Sequence, residues 1–118
     1  METINDRMIH PVLSIEQDKT IKNAAETIYS NKIGSPLVTQ NENYIGIITK
    51  TDLMTRVLLK DLDAKMIKVW EVMSSHLYTI DSGESLTTAR EMFRAKPVRH
   101  LTITRNDEVI GVLSIKDL

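Results

Sequence analysis

Two residue pairs have types and spacing that could do chemistry: Thr49 with Asp52, and Ser114 with Asp117. In each, a hydroxyl precedes a carboxylate by three positions. An ionised carboxylate only accepts hydrogen bonds, through two oxygens. A ribose presents two adjacent hydroxyl donors, so a single aspartate can hold both. The hydroxyl side chain and the backbone N–H groups of a helix start can together face a phosphate. The alternative is local, with Asp52 capping the helix that it opens. Spacing alone favours capping. The second occurrence of the pair argues for a ligand, although common descent of two copies would also produce it.

The pairs belong to a longer repeat. Tyr44 to Leu53 reads Y-I-G-I-I-T-K-T-D-L, and sixty-five positions on, Val109 to Leu118 reads V-I-G-V-L-S-I-K-D-L. Extending the alignment backwards requires no gap: Met8 falls on Met73, Ile15 on Ile80, Ala24 on Ala89, Glu26 on Glu91 and Asn41 on Asn106. The chain is two copies of one unit, 8–53 and 73–118, and such a period decides the architecture. A unit of fewer than about fifty residues buries too little apolar surface to stand alone without disulfides or metal. The sequence has no cysteine, so the copies are expected to complete each other's core.

Within each copy the elements follow from apolar spacing. Met8 to Ile15 reads as extended chain. Thr20 and Ser85 stand where helices begin, but neither has Glu or Gln three residues on to close a capping box. The stripe Ile21, Ala24, Ala25, Ile28 predicts a helix ending near Asn31, and Leu86, Ala89, Met92, Phe93 predicts its counterpart, stopped by Pro97. Leu37–Thr39 and Tyr44–Thr49 read as strands joined by the turn Gln40–Asn43. Leu101–Thr104 and Val109–Ser114 repeat them around Arg105–Glu108. Gly46 and Gly111, inside strands, mark either a bulge or close backbone approach, or crowding by a helix. A second helix is expected from Asp52 to about Asp63, with Leu53, Val57, Leu58 and Leu62 as a partial apolar face. Ala64–Val72 links the copies and carries Trp70, read as a packing anchor. The second copy reaches Leu118 where its second helix would begin.

Each copy therefore reads β-α-β-β-α, the second lacking its final helix, and the fold class is mixed α/β. The expected division is 1–66 for the first repeat and 67–118 for the linker and second repeat.

Both halves resemble CBS motifs, and the pair resembles a Bateman module. The resemblance rests on G-I-I-T-K-T-D-L at Gly46–Leu53, G-V-L-S-I-K-D-L at Gly111–Leu118, the helices bearing Ala24 and Ala89, and Met8 and Met73 at the head of each copy. It implies pseudo-two-fold packing and clefts between the copies that take adenosine-containing ligands: AMP, ADP, ATP or S-adenosylmethionine. By position, Asp52 and Asp117 would hold ribose hydroxyls, with Asp52 expected as the main anchor because Asp117 is the penultimate residue and chain ends fray unless tied down, and Thr49 and Ser114 would contact ribose or phosphate. Backbone at Ser14–Ile15 and Thr79–Ile80, with Ser35–Pro36 and His100–Leu101, would line the adenine. Arg99 and His100 match a place where relatives carry phosphate-binding basic residues. The first copy has Gly34 and Ser35 there instead, which leaves Lys50 or the other copy to supply the charge. Disc-like homodimers built from the helices are implied as well.

Other classes of function find little support. With 15 basic and 16 acidic residues and a net charge of −1, the chain has no overall field for nucleic acid or an anionic membrane. The basic residues are interleaved with acids and have few aromatics around them. The N-terminus has no apolar signal-peptide core, and no apolar run reaches membrane-spanning length. A soluble, cytoplasmic protein is expected. His10, His76 and His100 lack ligand spacing, so no metal site is expected. The six methionines fill core gaps or an oligomer interface, and no nucleophile stands beside a base. The expected role is a non-enzymatic regulatory module in signal transduction. It would sense a nucleotide and act on a regulated enzyme or transporter. The alternative is a ligand-free interaction module that pairs with another copy.

Overall fold

The computed structural model describes residues 2–118. It contains two three-stranded sheets, each with strand order matching the chain order. The first comprises β1 (Ser14–Glu16), β2 (Leu37–Gln40) and β3 (Asn43–Ile47); the second comprises β4 (Thr79–Asp81), β5 (His100–Arg105) and β6 (Glu108–Ser114). In both, the outer pair reached through a helix is parallel and the hairpin pair is antiparallel. The crossover helices are α2 (Ile21–Asn31) and α4 (Leu86–Ala95). A short α1 (Ile4–Arg7) precedes β1. The mixed α/β expectation and the twofold repetition hold.

Turn chemistry sets the hairpins. Asn41 and Glu42 have φ of 51° and 69°, and Asn106 and Asp107 have φ of 52° and 64°. Two consecutive left-handed residues are what a two-residue hairpin matched to strand twist demands. Helix α2 ends where the apolar stripe ends, with Lys32 left-handed at φ 55°. Ile21 and Ala24 are buried as expected, but Ala25 is exposed. At Thr20 the capping box does close: Asn23, not Glu or Gln, returns the hydrogen bond to the Thr20 N–H at 3.1 Å. A short amide side chain reaches as well as a longer acid here. Ser85 caps α4 one-sidedly, accepting the Thr88 N–H.

The second helix differs from expectation. It begins at Lys50, with Thr49 as cap, as α3 (Lys50–Asp52). It then widens into a π turn over Leu53–Val57 and tightens into a 3₁₀ turn over Leu58–Lys60, ending at left-handed Asp61 rather than Asp63. The widened turn changes the helical phase. Val57 stays buried, while Leu58 and Leu62 face solvent instead of completing an apolar stripe. Trp70 is likewise no anchor: it is 51% exposed. The 3₁₀ turn Val69–Glu71 places residues three apart on one side, so Val69 and Val72 go inward and Trp70 outward.

Packing cuts the chain differently from the repeat. One compact unit is Leu13–Leu77, and the other joins the residues up to Val12 with Tyr78–Leu118. The core of the first unit includes Ile15, Ile21, Ala24, Val38 and Ile48, and takes Val69 and Val72 from the segment ahead of the second repeat. The core of the other includes Ile80, Leu86, Phe93, Leu101 and Leu113, and takes Ile4 from the lead-in. Each repeat is completed by a short segment that the sequence order assigns to the other.

The strand glycines mark where these segments dock. Ile47 bridges Ser74 and Val112 bridges Ile9, both antiparallel. A Cβ on Gly46 would stand 2.5 Å from the Ser74 carbonyl oxygen, and one on Gly111 would stand 3.0 Å from that of Ile9. A register shift between Val38 and Thr39, and again between Ile103 and Thr104, lies opposite each glycine. Close backbone approach beside a bulge, not helix crowding, explains both glycines.

Candidate functional site

In each unit the expected site residues converge on one end of the sheet, where two strands start and the third finishes. In the first unit this end is held by three backbone hydrogen bonds. Leu37 N–H donates to Leu13 C=O, Ile48 to Pro36 and Lys50 to Gly34, at 2.9, 3.1 and 3.0 Å. Ser14, Ser35, Pro36 and Thr49 are thereby gathered beside Asp52. Ser35 and Pro36 are buried, Thr49 and Asp52 half-buried, and Ser14 exposed.

The other unit repeats the arrangement. Thr102 N–H donates to Tyr78 C=O at 2.8 Å and Ile115 N–H to Arg99 C=O at 2.9 Å. His100 pairs in register with Ser114. Thr79, Arg99, His100, Ser114 and Asp117 thus share one sheet end. Not every expected residue offers its side chain there. Ile15, Ile80 and Leu101 are buried in the cores, so only their backbone is available.

The two aspartates are in different circumstances. Asp52 sits in a reciprocal box with Thr49. Its Oδ2 accepts the Thr49 N–H at 2.9 Å, while its own N–H donates to Thr49 Oγ1 at 3.1 Å. The capping alternative is therefore real, with the hydroxyl as cap and Asp52 as its third-position partner. Arg56 Nε approaches Asp52 Oδ1 at 3.7 Å, and Arg56 Nη1 also donates to the Val72 carbonyl at 2.9 Å. Asp117 makes no such box. The Ser114 hydroxyl instead accepts the Lys116 N–H at 3.4 Å, and Asp117 Oδ2 is buried with no hydrogen-bond partner among the described residues.

Arg7 fixes the turn that carries Asp117. Its Nη1 donates to the Asp117 carbonyl at 2.8 Å. Its Nε hydrogen-bonds Glu2, and that bond holds the Glu2 carboxyl below its usual range. Leu118 and Ile115 pack against the second core. Sequence spacing gave no sign of the Arg7 tie, because the partners lie 110 positions apart.

Hydroxyl and carboxylate groups thus stand at equivalent sheet ends in two repeats of one β-α-β-β pattern. The chain belongs to the CBS domain family, whose model matches residues 3–59 and 69–118. It is 25% identical over 118 residues to the CBS domain-containing protein YhcV of Bacillus subtilis (strain 168), covering all of this chain and 84% of that protein. It is 28% identical over 115 residues to CBS domain-containing protein CBSCBSPB1 of Arabidopsis thaliana, covering 96% of this chain but only 21% of that longer protein. Among solved structures, the CBS domain protein PAE2072 from Pyrobaculum aerophilum, complexed with AMP, superposes with a TM-score of 0.85 at 23% identity, covering 99% of this chain and 90% of that one. At that identity the likeness is one of fold. No helix among the described residues is long and apolar enough to cross a membrane.

Proposed function

We propose that the chain is a non-enzymatic regulatory module that binds an adenine nucleotide of the AMP, ADP and ATP class at these sheet ends. Its aspartates hold the ribose, and Thr49, Ser114, Arg99 and His100 lie toward the phosphate. The observation that carries this reading is that a hydroxyl and a carboxylate stand at the same end of both sheets, Thr49 with Asp52 and Ser114 with Asp117. Asp52 is half-buried and keeps one oxygen outside its bond to Thr49, near Arg56, so it is the more available anchor. Asp117 Oδ2 is buried with no hydrogen-bond partner among the described residues, which is costly, and a ribose would reach it only with movement of the Ile115–Asp117 turn, so Asp117 is the second. The AMP bound by PAE2072 supports an adenosine ligand. S-adenosylmethionine shares the adenosine but has no phosphate for Arg99. A chain without cysteine fits the reducing cytoplasm, and a regulated enzyme or transporter would be the recipient of the signal.

A homodimer is part of the same proposal. Met54, Leu58, Leu59, Leu62 and Met66 are exposed within one short stretch, and clustered exposed apolar side chains mark interaction surfaces. This surface also supports the competing reading, a ligand-free pairing module. A thermal-shift panel of AMP, ADP, ATP and S-adenosylmethionine separates the two. At a hundredfold excess over Kd, binding to the folded state alone stabilises by about 2.7 kcal/mol. For a domain of this size that is a melting shift on the order of ten degrees. If no adenine ligand moves the melt, and native mass spectrometry finds no retained nucleotide, the pairing module prevails.

A further inference from the structure

Arg7 and Asp117 meet through the backbone rather than through charge. Arg7 Nη1 donates to the Asp117 carbonyl at 2.8 Å, yet no ion pair joins Arg7 to the Asp117 carboxylate among the described residues. The Arg7 Nε is taken by Glu2. Asp117 Oδ2 lies buried with no hydrogen-bond partner among the described residues. A carboxylate so placed is costly, and a costly local arrangement persists only where its surroundings enforce it.

Several contacts hold the Ile115–Asp117 turn. Ile115 and Leu118 pack against the core, and Ile115 N–H donates to Arg99 C=O at 2.9 Å. At the far end of the turn the local hydrogen bonds are long: Lys116 N–H to Ser114 Oγ and Leu118 N–H to Ile115 C=O are both 3.4 Å. The Arg7 bond is shorter and charge-assisted, and is the stronger constraint there. Arg7 is itself fixed from both sides. Ile4 is fully buried, and Ile9 exchanges two backbone hydrogen bonds with Val112. The arginine head group can therefore let go without undocking the segment that carries it.

The first repeat has this tie in another form. Val72 is the counterpart of Arg7, and Asp52 that of Asp117, at the same sixty-five-residue offset. An arginine again joins segment and turn, but it is Arg56, four residues after Asp52, and its Nη1 grips the Val72 carbonyl at 2.9 Å. Here the gripped carbonyl belongs to the segment, not to the aspartate. Both Asp52 oxygens face partners, the Thr49 N–H and Arg56. The stranded oxygen thus accompanies the arginine that holds the aspartate's own backbone.

We propose that Arg7 is a latch on the second sheet end: its grip on the Asp117 carbonyl keeps the carboxylate turned inward, and release of that grip lets the turn present Asp117 to a ligand bearing hydroxyl donors. The ligand in this inference rests on the adenine-nucleotide reading. The two states differ by one exchange, the Arg7 bond to the carbonyl for hydroxyl bonds to the stranded carboxylate, so a ligand with vicinal hydroxyls favours the open state. Arg7 acts as a positioning residue and touches no ligand. The first repeat binds without this rearrangement, which makes the two sites unequal.

The test uses the full chain and Arg7→Met, which keeps an apolar stem and removes every donor. Carbodiimide labelling of carboxyl groups, read by mass spectrometry without ligand, should rise several-fold at Asp117 and stay constant at Asp52. Arg7→Lys retains a charged donor and should label as the unmutated chain does. In an Asp52→Asn background, which isolates the second repeat, Arg7→Met should tighten AMP by about tenfold in calorimetric titration, within the usual range of coupling between sites. Adding Asp117→Asn should abolish that gain. Unchanged labelling of Asp117, or a rise shared by Asp52, would overturn the latch and leave Arg7 a structural residue. So would AMP affinity that stays the same or falls in Arg7→Met while the unmutated chain binds AMP. If no variant binds AMP but labelling rises at Asp117 alone, the nucleotide reading fails and the latch stands.

Discussion

Ser74 and Ile47 exchange both backbone hydrogen bonds, at 2.9 and 3.0 Å, and the Ser74 carbonyl occupies the space where a side chain on Gly46 would project. Ile9 and Val112 repeat the relationship at 2.8 and 3.1 Å beside Gly111. A short segment from outside each repeat thus closes its last strand, and the glycine is the condition for that closure. At Gly46 the nearest atom is the Ser74 carbonyl oxygen, which cannot swing aside as a flexible side chain can, whereas at Gly111 the Met8 sulfur comes closer than the Ile9 carbonyl.

Gly46→Ala should therefore destabilise the chain by about 1–3 kcal/mol, the range for forcing extra atoms into a packed interior. Gly34→Ala is the control, because its Cβ would meet only the flexible stem of Lys50. Urea denaturation would check this. Equal midpoints for the two variants would mean that Ser74 yields more easily than its hydrogen bonds imply.

Residues 1–66 expressed alone should fold poorly or self-pair. That fragment keeps Gly46 and Val57 but loses Val69, Val72 and the Ser74 bridge, and it exposes Ile4 with no core to enter. A fragment 13–77, which retains the closing segment, should melt more cooperatively. Circular dichroism melts of both fragments give the comparison. A sharp monomeric melt for 1–66 would show that the exchanged segment contributes little.

Asp52→Ala should cost about 1 kcal/mol through loss of the cap partnership with Thr49. Asp52→Asn retains an oxygen able to accept the Thr49 N–H, so its unliganded melt should stay near that of the parent. If the first repeat binds ribose, the same Asn variant should lose part of the AMP-induced melting shift. Unchanged AMP binding would leave Asp52 as a capping residue only.

Leu59→Glu combined with Met66→Glu should yield a monomer in light scattering while scarcely altering the fold, since both side chains are 72% exposed. Surface changes away from packed features cost little, whereas a charge within an apolar interface opposes pairing. A dimer that survives both substitutions would place the self-association surface elsewhere.

Much of this architecture was legible in the sequence, because it is written in short-range terms. The sixty-five-residue repeat, the end of α2 at Asn31 and the two hairpins follow from apolar spacing and from Asn-led turns that tolerate left-handed backbone. The hydroxyl–aspartate pairs were visible for the same reason: three positions of spacing is a local distance. Tertiary structure alone decided what the strand glycines touch, why Trp70 faces solvent between two buried valines, and which segments complete which core. It also decided that Asp52 is engaged by Thr49 and Arg56, while Asp117 keeps a buried oxygen with no hydrogen-bond partner among the described residues. These outcomes depend on backbone edges and single atoms meeting across long stretches of chain. A backbone edge has the same donors and acceptors whatever side chains it carries, so the sequence contains no periodic signal for where it will dock.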